Sequence, residues 1–196
     1  MLLVGGKSSR MGVDKATLVL GGEPLWQRQL GILRHLRPES TWISAQSVPP
    51  WCTADTQVVL DQPPSRGPLS GVAAGLRRLQ TSHLLVMAID LPSMRPDHLL
   101  KLYHLAGPGC GVIPRNGDDL EPLCAIYPRA ALALAEESLR GPRASLQDFG
   151  QKLQISCEAI FYDLSPAEKL MYLNMNTPAD IPSFPEAGPG MSHATV

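Results

Sequence analysis

Apolar and polar positions along this chain follow two periods. Residues 2–4, 41–45, 56–60 and 83–88 are short, mostly apolar runs bounded by glycine, proline or polar residues, the pattern of buried strands. Between them, residues 24–36 carry Leu25, Trp26, Leu30, Leu33 and Leu36 at helical spacing, and residues 69–79 and 97–105 repeat that period. This β-α-β-β-α-β-α order predicts a single-domain, layered, Rossmann-like α/β fold whose mixed sheet is mostly parallel and flanked by helices. Residues 110–114 and 123–127 read as two further strands. The polar turn Asn116-Gly117-Asp118-Asp119 between them predicts an antiparallel hairpin within the mixed sheet. Residues 130–139 and 145–153 predict helices, and 159–162 a last strand. Ser165-Pro166-Ala167-Glu168 spells a capping box with proline at the first helical position, and Thr177-Pro178-Ala179-Asp180 predicts another short helix. From Pro185 onward glycine, proline, serine and threonine dominate. The expected organisation is therefore a folded domain over 1–184 and a disordered tail over 185–196.

Composition narrows the function classes. A chain of 196 residues that is 44% hydrophobic suits one domain with a sizeable core. A formal net charge of −1 provides no general basic field for nucleic acid. No apolar run is long enough to span a bilayer and no leader pattern opens the chain, so a cytoplasmic location is expected. Cys52, Cys110, Cys124 and Cys157 lie far apart without a Cys-x-x-Cys pair, and are expected as scattered buried thiols rather than a zinc site. His35, His83, His98, His104 and His193 show no metal-ligand spacing.

The chemistry concentrates where strands end. After the first run come Gly5-Gly6, then Lys7-Ser8-Ser9-Arg10-Met11-Gly12-Val13-Asp14-Lys15. Glycines let the backbone approach a ligand closely, and successive amides in such a turn form an anion-binding concavity. Arg10 and Lys15 add two cations suited to phosphate. The loop is neither a Walker A motif nor a dinucleotide fingerprint. Asp61 follows the run 56–60, just ahead of Gly67-Pro68-Leu69-Ser70-Gly71, a glycine-bounded turn that opens a helix. A carboxylate there serves a base, a ribose, a metal or merely an Asx turn. Asp90, in Asp90-Leu91-Pro92, leaves a uniformly apolar run, where a charge is costly unless it meets a cation. Mg²⁺ bridging a triphosphate is one such cation, and a helix N-cap is the plainer role.

The string from Leu3 to Lys15 resembles the signature Leu-Ala-Gly-Gly-x-Ser-x-Arg-Met-Gly-x-Asp-Lys of the molybdenum cofactor guanylyltransferases, the MobA family. Val4 stands where the signature has alanine, and the chain starts almost on the motif, leaving the first strand little length. Gly22-Glu23-Pro24-Leu25, Gly67-Pro68-Leu69-Ser70-Gly71, the Asp-x-Pro at Asp90, Glu121-Pro122-Leu123-Cys124-Ala125 (Gln-Pro-Leu-x-Ala in the family) and Asn174-Met175-Asn176-Thr177-Pro178 extend the resemblance in the same order over most of the chain. It implies a nucleotide-diphospho-sugar transferase type of fold. It also implies transfer of GMP from GTP to the terminal phosphate of the molybdopterin (molybdenum) cofactor, with release of pyrophosphate. Carried over residue by residue, it implies a nucleotide site at Leu3, Val4, Gly5, Gly6, Lys15, Ser44, Asp61 and Asp90. Ser44 occupies a position where the family often has asparagine. Arg10, Lys15 and Asp90 are implied as catalytic, with Asp90 holding Mg²⁺, or Mn²⁺ in its place. Pro122, Leu123, Asn174 and Asn176 are implied on the pterin side. Arg143 meets an anionic substrate or is a solvated surface charge. Other cofactor-biosynthesis proteins and apo-molybdoenzymes are the implied protein partners, with neither nucleic acid nor membrane. Two other readings stand beside this one. They are a CTP-dependent molybdopterin cytidylyltransferase, whose relatives tend to have Leu-Ala-Ala-Gly at the opening, and a non-catalytic nucleotide-binding assembly factor for molybdoenzymes.

Overall fold

In a computed structural model, which describes residues 1–4 and 14–175, the apolar runs meet in one mixed sheet. Its strands are β1 (Leu2–Leu3), β4 (Ile43–Ala45), β5 (Val58–Leu60), β6 (His83–Ala88), β7 (Gly111–Asn116), β9 (Cys124–Pro128) and β10 (Ala159–Asp163), with β8 (Asp119–Leu120) on the side of β7. The order across the sheet is β10-β7-β9-β6-β1-β4-β5. Pairing is parallel except at β9, which runs against both β6 and β7, and at β8, which runs against β7. The mostly parallel mixed sheet is thus as expected.

Helices α1 (Leu25–His35) and α3 (Pro96–Leu105) cover one face. Helices α2 (Pro68–Arg78), α4 (Ala131–Arg140) and α5 (Leu146–Ile155) cover the other. Alternation along β1 feeds both layers. Leu2 packs with Leu25, Leu30 and Leu33 of α1, while Leu3 packs with Leu69, Val72 and Ala73 of α2. Both leucines are buried, as a central strand requires.

The polar turn at Gly117-Asp118 connects β7 to the two-residue β8 rather than directly to the strand expected at 123–127. The chain then crosses Glu121–Leu123 and enters β9 between β7 and β6, so the expected antiparallel pair does form, one short strand later. A separate hairpin of β2 (Val19–Leu20) and β3 (Glu23–Pro24) turns through Gly21 and Gly22, both at positive φ. The capping box is present at the start of α6 (Pro166–Lys169): the Ser165 hydroxyl accepts from the Glu168 amide, and the Glu168 carboxylate accepts from the Ser165 amide. The Glu168 carboxylate also accepts from Lys101 Nζ and Tyr162 Oη, which together hold it at a pKa of about 2 despite partial burial. Beside it, His98 and Tyr172 share a buried hydrogen bond of 2.8 Å. These contacts clamp the segment from α6 to Met175 onto α3 and β10.

The cysteines depart from expectation. Only Cys124 is buried, where desolvation pushes its thiol up to about 12, whereas Cys157 is exposed at positive φ. The short helix expected at 177–180 and the tail expected from Pro185 lie outside the described residues.

Candidate functional site

Parallel strands leave their carbonyl ends at one edge, and the loops that follow them meet there. Three of the loops that leave this edge carry residues singled out by sequence. Ser44 is buried in the middle of β4, and the Val4 amide donates to its carbonyl at 3.1 Å. Asp61 is the first residue after β5, held by its own amide on the Ala45 carbonyl at 3.0 Å. Its two carboxylate oxygens accept from Ser44 Oγ at 3.3 Å and from Ser65 Oγ at 2.8 Å. Ser44 and Asp61, separated in sequence, therefore form one polar floor at the ends of β4 and β5.

Helix α2 makes this floor possible by lacking a side chain at Gly71. A Cβ there would lie 2.5 Å from Ser44 Oγ, 3.0 Å from Leu3 Cδ2 and 3.3 Å from Asp61 Oδ1. The glycine that closes the Gly67-Pro68-Leu69-Ser70-Gly71 motif lets the helix lie directly against the floor. Gly71→Ala is expected to destabilise the fold by about 1–3 kcal/mol, the usual cost of overpacking a fitted core. A melting midpoint within a degree of the wild type would show that the helix can shift freely.

The loop between β5 and α2 is tied down by Arg66. Its guanidinium donates to the carbonyls of Leu139, Gly141 and Pro142, the last at 3.0 Å, so it caps the open end of α4. Sequence reasoning passed over Arg66, Ser65 and Gly71 as contributors, although all three flank or close the glycine-bounded motif.

The other half of the site forms around Asp90. Gln29, buried on α1, donates to the carbonyls of Ile89 at 3.3 Å and Leu91 at 2.7 Å, which fixes the exit of β6 from below. A glutamine at a core position of an otherwise apolar helical stripe was a legible but unread signal. Lys15 lies in the short turn Lys15–Thr17, which Asp14 caps by accepting from the Ala16 amide at 3.0 Å. The other Asp14 oxygen accepts from the Trp51 indole at 2.8 Å, and Trp51 stacks on Trp26 at 4.9 Å between ring centres. Lys15 Nζ reaches to 3.6 Å from Asp90 Oδ2 and donates to the Met175 carbonyl at 2.9 Å. The Met175 amide in turn donates to the Asp90 carbonyl at 2.8 Å. Lys15, Asp90 and the clamped C-terminal segment thus converge, with both charged side chains partly exposed at 18% and 24%.

Of the residues expected on the pterin side, Pro122, Leu123 and Asn174 are described. Leu123 accepts the Ala88 amide at 2.7 Å, which places the Glu121–Leu123 segment beside the exit of β6. Pro122 is buried and its carbonyl accepts from Tyr127 Oη at 2.6 Å. Asn174 is exposed, next to Met175. Arg143 is exposed in the loop that Arg66 grips. Gly5, Gly6, Arg10 and Asn176 lie outside the described residues.

Asp90 suits a hard divalent cation. Its carboxylate is partly exposed, with Lys15 beside it among the described residues. Among the described residues no three His, Cys, Asp or Glu side chains gather to hold a metal. A single accessible carboxylate suits a hard divalent cation that completes its shell from phosphates and water. A cavity of about 460 Å³ lies elsewhere, at the amino ends of β4 and β6, lined by Trp42, His83, Leu85 and Tyr103 among others. It shares no residue with the convergence described here.

Comparison with known proteins points the same way. Residues 1–154 match the model of the MobA-like NTP transferase domain. The probable molybdenum cofactor guanylyltransferase of Opitutus terrae is 35% identical over 91% of this chain and 90% of its own length. The molybdenum cofactor guanylyltransferase of Syntrophotalea carbinolica is 30% identical over 97% and 92%. Among solved structures, the molybdopterin-guanine dinucleotide biosynthesis protein A of Archaeoglobus fulgidus superposes with a TM-score of 0.70 at 24% identity, covering 93% of this chain and 94% of that one. The 2-C-methyl-D-erythritol 4-phosphate cytidylyltransferase of Thermus thermophilus shares the fold at a TM-score of 0.61 and 14% identity, with coverage of 93% and 94%.

Proposed function

The chain belongs to the MobA-like NTP transferase family, and from that premise we propose that it transfers GMP from GTP to the terminal phosphate of molybdopterin cofactor. The observation that carries this reading is the approach of Lys15 Nζ to 3.6 Å from Asp90 Oδ2. It joins the end of the opening signature to the carboxylate at the exit of β6.

In the reaction, an oxygen of the acceptor's terminal phosphate attacks the α-phosphorus of GTP. The bond from that phosphorus to the bridging oxygen of the β-phosphate breaks, and pyrophosphate leaves. The nucleophile is already anionic, so the protein needs no strong general base. It must align the two substrates and balance crowded negative charge. We assign the Ser44–Asp61 floor, with Leu3 and Val4, to the base and ribose, and Lys15 to the phosphates. Gly5, Gly6 and Arg10 are assigned to the same triphosphate from the sequence. Asp90 would hold Mg²⁺, or Mn²⁺ in its place, which would supply neutralisation and polarisation of phosphate oxygens. Pro122, Leu123, Asn174 and Asn176 flank the acceptor. GTP and molybdopterin cofactor are the small-molecule partners. Other cofactor-biosynthesis proteins and apo-molybdoenzymes are the protein partners that such a product implies.

The nucleotide preference tests the reading. A ligand present at a hundred times its Kd stabilises a folded protein by about 2.7 kcal/mol. For a domain of this size, that corresponds to a rise of about 5–10 °C in melting temperature. GTP with Mg²⁺ is expected to give such a shift, and CTP or ATP a clearly smaller one. Equal shifts for GTP and CTP would sink the guanine assignment, and a larger shift with CTP would transfer it to a cytidylyltransferase. A GTP shift without pyrophosphate release on adding molybdopterin would leave a binding protein rather than an enzyme.

A further inference from the structure

We propose that Glu121 determines specificity for the acceptor, its carboxylate receiving the paired N3–H and 2-amino hydrogens of the pterin ring. The proposal rests on the reading above that the acceptor is a pterin phosphate. A transferase that joins two substrates needs a second recognition surface within reach of the reacting phosphate. Along the carbonyl edge of the sheet the order is β5, β4, β1, β6 and then β9. The assigned nucleotide residues occupy β5 to β1, and Asp90 leaves β6. Because β9 runs antiparallel to β6, its start rather than its end lies at this edge. The Glu121–Leu123 segment is therefore the next structure beyond Asp90 on the side away from the nucleotide floor, joined to β6 by the Ala88 amide on the Leu123 carbonyl at 2.7 Å.

This segment is rigidly held through its backbone. The Glu121 amide donates to the Pro114 carbonyl at 2.7 Å, and its carbonyl accepts the Cys124 amide at 3.1 Å. Gln147 brackets Leu120, accepting from its amide at 3.1 Å and donating to its carbonyl at 2.8 Å. Tyr127, wholly buried, holds the Pro122 carbonyl. All this anchoring involves main-chain atoms. The Glu121 side chain, half-buried, has no hydrogen-bond or ion-pair partner among the described residues. A fixed loop at the exit of β6 that carries a partly desolvated, unmatched carboxylate is arranged for a ligand with donors.

The chemistry of the match is specific. An ionised carboxylate only accepts, through two oxygens. The pterin ring presents N3–H and an exocyclic amino group side by side, which a carboxylate takes as a bidentate pair. Protonation turns one acceptor into a donor and breaks the match. Burial and the neighbouring Asp119 carboxylate on β8 both raise the Glu121 pKa. Among the described residues the other titratable groups nearby are Cys124 on β9 and Tyr172 from the C-terminal segment. Both are pushed upward by burial, so they stay neutral over the working range. Acceptor binding should therefore weaken as pH falls through the raised Glu121 value.

The probe is 6-hydroxymethylpterin monophosphate, titrated into the full-length protein with GTP and Mg²⁺ present. Glu121→Ala is expected to raise the pterin Kd about tenfold and leave the GTP Kd within twofold. Glu121→Gln keeps the shape and one acceptor, so it should bind with intermediate strength. The ratio of wild-type to Glu121→Gln affinity should fall with pH, which removes the titration of the ligand's own phosphate from the comparison. An unchanged pterin Kd in Glu121→Ala overturns the proposal. So does a loss of GTP affinity instead, which would give the carboxylate to guanine, or a ratio that is flat with pH. If Glu121→Ala fails to fold, the Glu121→Gln ratio decides alone. Wild-type protein that binds GTP but no pterin phosphate would instead refute the acceptor reading, and this proposal with it.

Discussion

Asp90→Asn is expected to lower GMP transfer about a thousandfold while the chain stays folded. Asparagine keeps the size of the side chain and leaves intact the Met175 amide bond to the residue 90 carbonyl, at 2.8 Å. The lost ion pair with Lys15 spans 3.6 Å between side chains that are 18% and 24% exposed, so its contribution to folding is small. The charge removed, however, is the one that holds the cation at the reacting phosphates. Removing such charge stabilisation costs several kcal/mol, and about 4 kcal/mol is a thousandfold in rate. The loss should appear mainly in turnover, because the charge on the phosphates is most crowded in the transition state. Pyrophosphate release with saturating GTP, Mg²⁺ and molybdopterin cofactor measures it, with circular dichroism as the folding control. Near-native turnover in a folded variant would mean that the cation is held elsewhere. Asp61 is the weaker alternative for a structural reason. Both of its oxygens already accept hydroxyl hydrogen bonds, from Ser44 and Ser65.

What the sequence made legible divides along the range of the forces involved. The strand 83–88 and helices over 24–36 and 69–79 were readable because hydrophobic period is a local property, and these runs are long enough to display it. The positions of Asp61 and Asp90 at strand ends followed from the same reading. The β2–β3 hairpin was missed although Gly21-Gly22 is a strong turn signal, because strands of two residues have no period to detect. The hairpin placed at 116–119 was half right, since the turn chemistry is local but the choice of the strand that completes it depends on the sheet. Contacts across the fold were not legible at all. Nothing near Trp51 in sequence announces that its indole holds Asp14, or that Met175 meets both Lys15 and Asp90. Gly71 is an intermediate case. Its motif was visible, but the reason for a glycine appears only when Ser44, Leu3 and Asp61 are seen against it. The carry-over of family roles gave candidate site residues, and the fold brings Ser44 to Asp61 and Lys15 to Asp90.

Lys15→Ala is expected to weaken GTP binding by about ten- to a hundredfold, or about 1.4–2.8 kcal/mol, the range for one hydrogen-bonded ionic contact. The turn around Lys15 should survive the change, since Asp14 caps it through the Ala16 amide and is itself held by Trp51. Among the described residues the change removes the bond from Lys15 Nζ to the Met175 carbonyl and the approach to Asp90, both at a partly exposed side chain, so melting temperature should fall only slightly. A lysine on a triphosphate grips the ground state and the transition state alike, so its loss should raise KM for GTP more than it lowers kcat. This is the opposite split from Asp90→Asn, and the contrast separates a binding cation from a group that acts on the transition state. The two side chains lie 3.6 Å apart, so their effects should not add. In Lys15→Ala, Asp90 has lost the ammonium beside it, and a divalent cation becomes its main counter-charge. Nucleotide binding in that variant should consequently depend more steeply on Mg²⁺ concentration than in the wild type. Titration calorimetry across a Mg²⁺ series measures both effects. Unchanged GTP affinity in Lys15→Ala would remove Lys15 from the phosphates, and an unchanged Mg²⁺ dependence would show that Lys15 and Asp90 act independently despite their proximity.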